Sequence, residues 1–132
     1  MMLRTRCYKA GYSLRIIIPK PVISEFSPSQ INFYTLESID QYGKRVFEPY
    51  DFALLQLLDL KLSHRYEASS ILLRRFGGSM GFNIAKSHLI VEKFGLNEGS
   101  KLSVDVISLN ANQIREGLSS KAIVFKVDQT TA

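Results

Sequence analysis

The sequence predicts a mainly β fold of the α+β class, built from two ββαββ repeats with a connecting helix between them. Three observations carry that expectation. Short runs of strand-forming residues alternate in polarity and are broken by glycine. A ten-residue segment recurs: Gly11-Tyr12-Ser13-Leu14-Arg15-Ile16-Ile17-Ile18-Pro19-Lys20 lies over Gly77-Gly78-Ser79-Met80-Gly81-Phe82-Asn83-Ile84-Ala85-Lys86. The offset, 66, is half of the 132-residue length. A leucine-rich stretch separates the two copies, and the chain divides into residues 1–50, 51–68 and 69–132, the outer two expected to form one compact unit.

The elements follow in order. Residues 3–10 read as a strand. Gly11 marks a tight turn, where glycine accepts positive φ at little cost. Residues 13–18 are the second strand, with Leu14, Ile16 and Ile18 on the inward face and Ser13, Arg15 and Ile17 on the other. Pro19 ends the strand and opens a short helix over 20–26, because a first-turn residue has no intrahelical use for its N–H. Residues 31–36 are rich in β-formers and predict a third strand. Gln41-Tyr42-Gly43 predicts a hairpin turn into a strand over 44–48.

Residues 51–62 carry leucines in a wide helical stripe behind a capping Asp51, which predicts the connecting helix. The second copy then repeats the order. Strands are expected over 70–75 and 79–84, with Met80, Phe82 and Ile84 inward. A helix over 86–94 ends at a C-cap glycine, Gly95. Two more strands fall over 101–106 and 122–127. The tyrosines and phenylalanines sit at strand positions and are read mostly as core.

The string Gly-x-Ser-Leu-x-Ile-x-Ile-Pro-Lys at 11–20 resembles the signature of the AbrB/MazE/SpoVT swapped-hairpin family. In the second copy, residues 94–104 (Phe-Gly-Leu-Asn-Glu-Gly-Ser-Lys-Leu-Ser-Val) are similar to that family's helix end and turn, Leu-Gly-Leu-x-x-Gly-Asp-x-Val-x-Val. The matched segments, residues 11–20, 77–86 and 94–104, fall in both halves of the chain. The resemblance implies that two units exchange hairpins to close one barrel, since a unit of about 45 residues buries too little surface alone. Pairing within the chain would make a pseudo-dimer; pairing across two chains would make a homodimer.

The sequence departs from the family pattern in four places. Ala85 stands where Pro is usual, and the second helix is about two residues longer than usual. Residues 26–30 replace the Leu-Gly-Leu turn in the first copy. Arg15 corresponds to Gly81 across the repeat, so the two outer faces are not equivalent.

The resemblance also implies DNA binding through basic residues of the first hairpin and its flanks. The matching positions are Arg4, Arg6, Lys9, Arg15 and Lys20 in the first copy, and Arg74, Arg75, Lys86 and the polar Asn83 in the second. Net charge is +5; residues 1–50 and 69–132 each carry a net +3, while 51–68 carry −1. Lys and Arg displace counterions from phosphates and so give sequence-independent affinity. Arginine can also chelate a guanine edge where a two-stranded ribbon enters the major groove. Arg15 is the candidate for base contact; Arg4, Arg6 and Lys9 are candidate phosphate anchors.

The expected function is therefore a DNA-binding transcription regulator in the cytoplasm. The alternative is a protein-binding module, such as the antitoxin of a toxin–antitoxin pair, docking through Leu54, Leu57 and Leu58 of the connecting helix. No enzyme is expected: no acid–base pair, metal-ligand spacing, nucleophile elbow or phosphate loop is present. No cofactor or metal is expected. The single cysteine, Cys7, permits no intrachain disulfide and suits a reducing compartment. The start of the chain turns polar at once, which predicts no signal peptide, and no apolar run approaches the roughly 20 residues of a membrane-spanning helix.

Overall fold

The computed structural model describes residues 3–24, 33–34, 47–57, 70–110 and 117–128. Strands dominate: β1 (Leu3–Ala10), β2 (Ser13–Ile18), β3 (Phe33–Tyr34), β4 (Phe52–Leu57), β5 (Ser70–Ile71), β6 (Arg74–Phe76), β7 (Ser79–Ala85), β8 (Lys101–Ser108) and β9 (Leu118–Val127). Among the described residues two short helices accompany them, α1 (Lys20–Ile23) and α2 (Leu89–Phe94). The fold is mainly β, with the strands in one curled, barrel-like antiparallel sheet.

Both hairpin turns have two central residues, Gly11-Tyr12 and Gly77-Gly78, and in each the first has positive φ (60° and 62°). That matches the two-residue loop with glycine at its first central position, whose twist suits the flanking strands. Pro19, in extended conformation (φ −56°, ψ 141°), separates β2 from α1. The N-terminus of α2 falls later than expected, at Leu89, because His88 is the cap: its Nδ1 accepts from the Ile90 N–H at 3.1 Å. Gly95 closes the helix in the left-handed region (φ 61°).

Neighbouring strands run in the order β5-β3-β4-β9-β8-β1-β2-β7-β6. β1 joins its hairpin partner β2 on one side and β8, far along the chain, on the other. β5 likewise pairs with β3, from the first half of the chain. β2 and β7 pair with Leu14 opposite Ile84, Ile16 opposite Phe82 and Ile18 opposite Met80. Ile16 thus faces the residue that the 66-residue offset assigns to it, and the pairs on either side exchange under the same offset. A local twofold axis passes between Ile16 and Phe82. The ends of the strand order, β5 and β6, are separated in sequence by Leu72 and Leu73 alone, so the sheet must curl to satisfy both.

The inward faces form the core. Ile16, Phe82, Leu102, Val104 and Phe125 are fully buried. Phe125 stacks on Phe52 (centroids 4.7 Å apart) and meets Phe82 edge-on (6.0 Å), while Phe94 of α2 lies 5.8 Å from Phe52. Such ring pairs add about 0.5–1.5 kcal/mol each beyond area burial.

Four expectations need correction. The connecting helix over 51–62 is, where described, the strand β4, paired with β9 through Phe52–Phe125, Ala53–Val124, Leu54–Ile123 and Leu55–Ala122. Residues 52–56 are buried on both faces, and a strand buried on both faces has the unbroken apolar sequence that also fits a helix. The single strand over 70–75 is two, β5 and β6, interrupted at Leu72-Leu73. Phe47 and Glu48, read as strand, form a turn closed by Tyr50 N–H on Phe47 O. Tyr8 and Tyr12, read with the core aromatics, are 45% and 95% exposed. The hairpin expected at 41–43 lies outside the described residues.

Candidate nucleic-acid interface

The outer face of the β1–β2–β7–β6 sheet gathers half of the expected basic residues (Arg4, Arg6, Arg15 and Arg74), and register explains why. β2 alternates strictly, with Leu14, Ile16 and Ile18 buried and Ser13, Arg15 and Ile17 on the opposite face. Tyr8 stands opposite Arg15, and Arg15 opposite Asn83, so these three side chains form one row across β1, β2 and β7. The next row places Ile17 opposite Gly81, and Gly81 opposite Arg74.

Arg15 is held from two sides. Its Nε donates to the Asn83 Oδ1 at 3.1 Å, and its guanidinium carbon lies 3.8 Å from the Phe76 ring centroid. A guanidinium flat on an aromatic face keeps its outer N–H groups available while its position is fixed. The Arg6 guanidinium similarly approaches the Tyr8 ring at 5.7 Å.

The Cβ that Gly81 lacks would lie 2.3 Å from the Ile16 carbonyl oxygen. β2 and β7 therefore approach too closely here for any side chain, and Arg15 reaches over the gap.

Beside this face an open cleft of about 670 Å³ is lined by Arg4, Thr5, Arg6, Tyr8, Ile17, Pro19, Ser79 and Lys101. Strand pairing sets Arg6 opposite Lys101 and Arg4 opposite Ser103. The Thr5 hydroxyl donates to the Ile17 carbonyl and ties the floor of the cleft to β2. Arg4 is ion-paired with Asp128 at 3.2 Å, but its side chain is 78% exposed and the pair is correspondingly weak. The cleft thus offers three cations beside an aromatic ring, a combination suited to anions that carry a flat base or sugar.

The remaining expected residues are placed as follows. Lys9 and Arg75, equivalent under the offset, are exposed next to the two hairpin turns. They have the strand parity of the inward face, yet lie beyond the edge of the core. Lys20 and Lys86, also equivalent, are exposed just past the ends of β2 and β7. Because Ser13 pairs with Ala85, Lys86 lies alongside the Gly11-Tyr12 turn.

Of the residues expected to dock a protein, Leu54 is not at the surface. Leu54 is fully buried opposite Ile123, Leu57 ends β4 opposite Leu118, and Leu58 lies outside the described residues. β4 is an interior strand between β3 and β9, and its Leu54 and Leu55 are part of the core.

Lys101, Tyr8 and Phe76 were missed as site residues in the sequence. All three enter through cross-strand register rather than through the repeated string. The tyrosine had a usable signal, since it shares alternation parity with Arg4 and Arg6.

Cys7 is buried opposite Ile16, and burial pushes its thiol up to about 11, so at neutral pH it is a protonated, unreactive group. Among the described residues no helix is long and apolar enough to cross a membrane. No protein-family model, no curated protein and no solved structure matches the chain.

Proposed function

We propose that this chain binds duplex DNA through the outer face of its β1–β2–β7–β6 sheet and acts as a transcription regulator, with a single-chain version of the swapped-hairpin architecture. The observation that carries the reading is Arg15, held on the outer face of the sheet by Asn83 of β7 and Phe76 of β6, with exposed cations around it. An arginine guanidinium is the commonest reader of guanine in the major groove. Arg6, Lys9, Arg74, Arg75, Lys20, Lys86 and Lys101 surround it as phosphate contacts.

The strand pairing supports the architectural part. The first strand of each copy pairs with a strand of the other copy, β1 with β8 and β5 with β3, and the second strands meet about a local twofold axis. This pairing between the two halves supports a swapped-hairpin reading within one polypeptide.

The test is an NMR titration of the labelled protein with a duplex. Amide shifts confined to β1, β2, β6 and β7 are expected. Shifts confined to α2 or the β4–β9 ladder, or no shifts at all, would refute this surface.

A further inference from the structure

We propose that the chain grips its duplex in one orientation only, so that its target is an asymmetric sequence and not a palindrome. This rests on the DNA-binding reading above. A symmetric two-unit protein presents each reading side chain twice, and its operator mirrors that symmetry. Here the backbone keeps a local twofold axis at Ile16–Phe82, while the side chains around it break the symmetry.

Two cation pairs obey the 66-residue offset, Lys9 with Arg75 and Lys20 with Lys86. The others do not. Arg4 and Arg6 correspond to Ser70 and Leu72, and Ser70 pairs with Tyr34 where Arg4 pairs with Ser103. The cationic cleft therefore has no equivalent built from the same positions of the second copy. At the hairpin tips, the 95% exposed Tyr12 corresponds to Gly78.

The decisive asymmetry lies close to the axis. Arg15 corresponds to Gly81, and no side chain fits there because the Ile16 carbonyl occupies the place of its Cβ. Arg15 instead crosses into the other half, where both residues that hold it, Asn83 and Phe76, belong. One arginine thus serves the centre of the surface, and it points one way. Arg74, opposite Gly81 in the second half, occupies the position equivalent to Tyr8, so the two halves present cation and ring in different places.

The consequence for recognition is direct. The half with Arg4, Arg6, Lys101 and Tyr12 contributes more phosphate contacts, and Arg15 reads bases on one side of the axis. Conserved base preference is expected over one half-site, with weak preference over the other.

The experiment is selection of a random 30-base-pair duplex library with the full chain, followed by sequencing of the bound pool and anisotropy on the winning site. A non-palindromic consensus is expected. Arg15→Ala is expected to erase the preference at its strongest position, and Arg6→Leu to lower the salt slope by about 1 without changing the consensus. A palindromic consensus, or binding with no consensus, overturns the one-way inference and leaves DNA binding standing. No binding to any duplex at low salt removes both.

Discussion

Arg15 is stabilised where it is used. Its Nε bond to Asn83 and its contact with Phe76 hold the guanidinium on the surface before any partner arrives, and pre-organised groups lose less entropy on binding. Arg15→Ala is therefore expected to weaken duplex binding about tenfold or more, with the melting temperature nearly unchanged; Arg15→Lys should not restore affinity, because a point charge cannot chelate a guanine edge. Gly81→Ala makes the opposite prediction. Its methyl would meet the Ile16 carbonyl, so the variant should lose about 1–3 kcal/mol in a denaturant melt, the usual range for overpacking. Cys7 should resist alkylation in the native protein at pH 8 and react only on unfolding. Because its folded thiol is raised to about 11, its contribution to stability is full below its unfolded value of 9.0 and is lost as pH rises through the folded value. At this scale the sequence showed Arg15, Gly11 and Gly95 plainly, since each belongs to a local string. It could not show Phe76 or Lys101, whose roles depend on which strand lies beside which.

Among the elements, the hairpins were the most legible. Glycine at the turn and strict alternation in β2 determine both strand and face. β4 was misread because its partner β9 buries Leu55 and Ala53 as completely as Phe52 and Leu54. With both faces apolar, neither a period of 2 nor one of 3.6 stands out. The misreading has a clean test. Leu54→Asp on a docking helix would abolish partner binding and spare the fold; in β4 it places an unpaired carboxylate in the core, and loss of cooperative unfolding by circular dichroism is the expected result. The split of the 70–76 segment into β5 and β6 was equally hidden, because it reflects membership of two ends of one curled sheet rather than any local signal.

At the scale of the whole molecule, the mainly β class was legible, while the strand order was not. Pairings such as β1 with β8 join residues about 100 positions apart, and nothing local specifies them. All of these pairings are made within one chain, so the melting temperature should not change with protein concentration; a steady rise with concentration would show that the core is completed by a second copy. The basic outer face makes the central claim measurable. Titration of a labelled duplex with the protein across a salt series should give a log–log slope of roughly −6, the value for the seven proposed phosphate contacts at about 0.9 each. Binding that is absent at low salt, or indifferent to salt, would contradict a DNA-binding role for this surface.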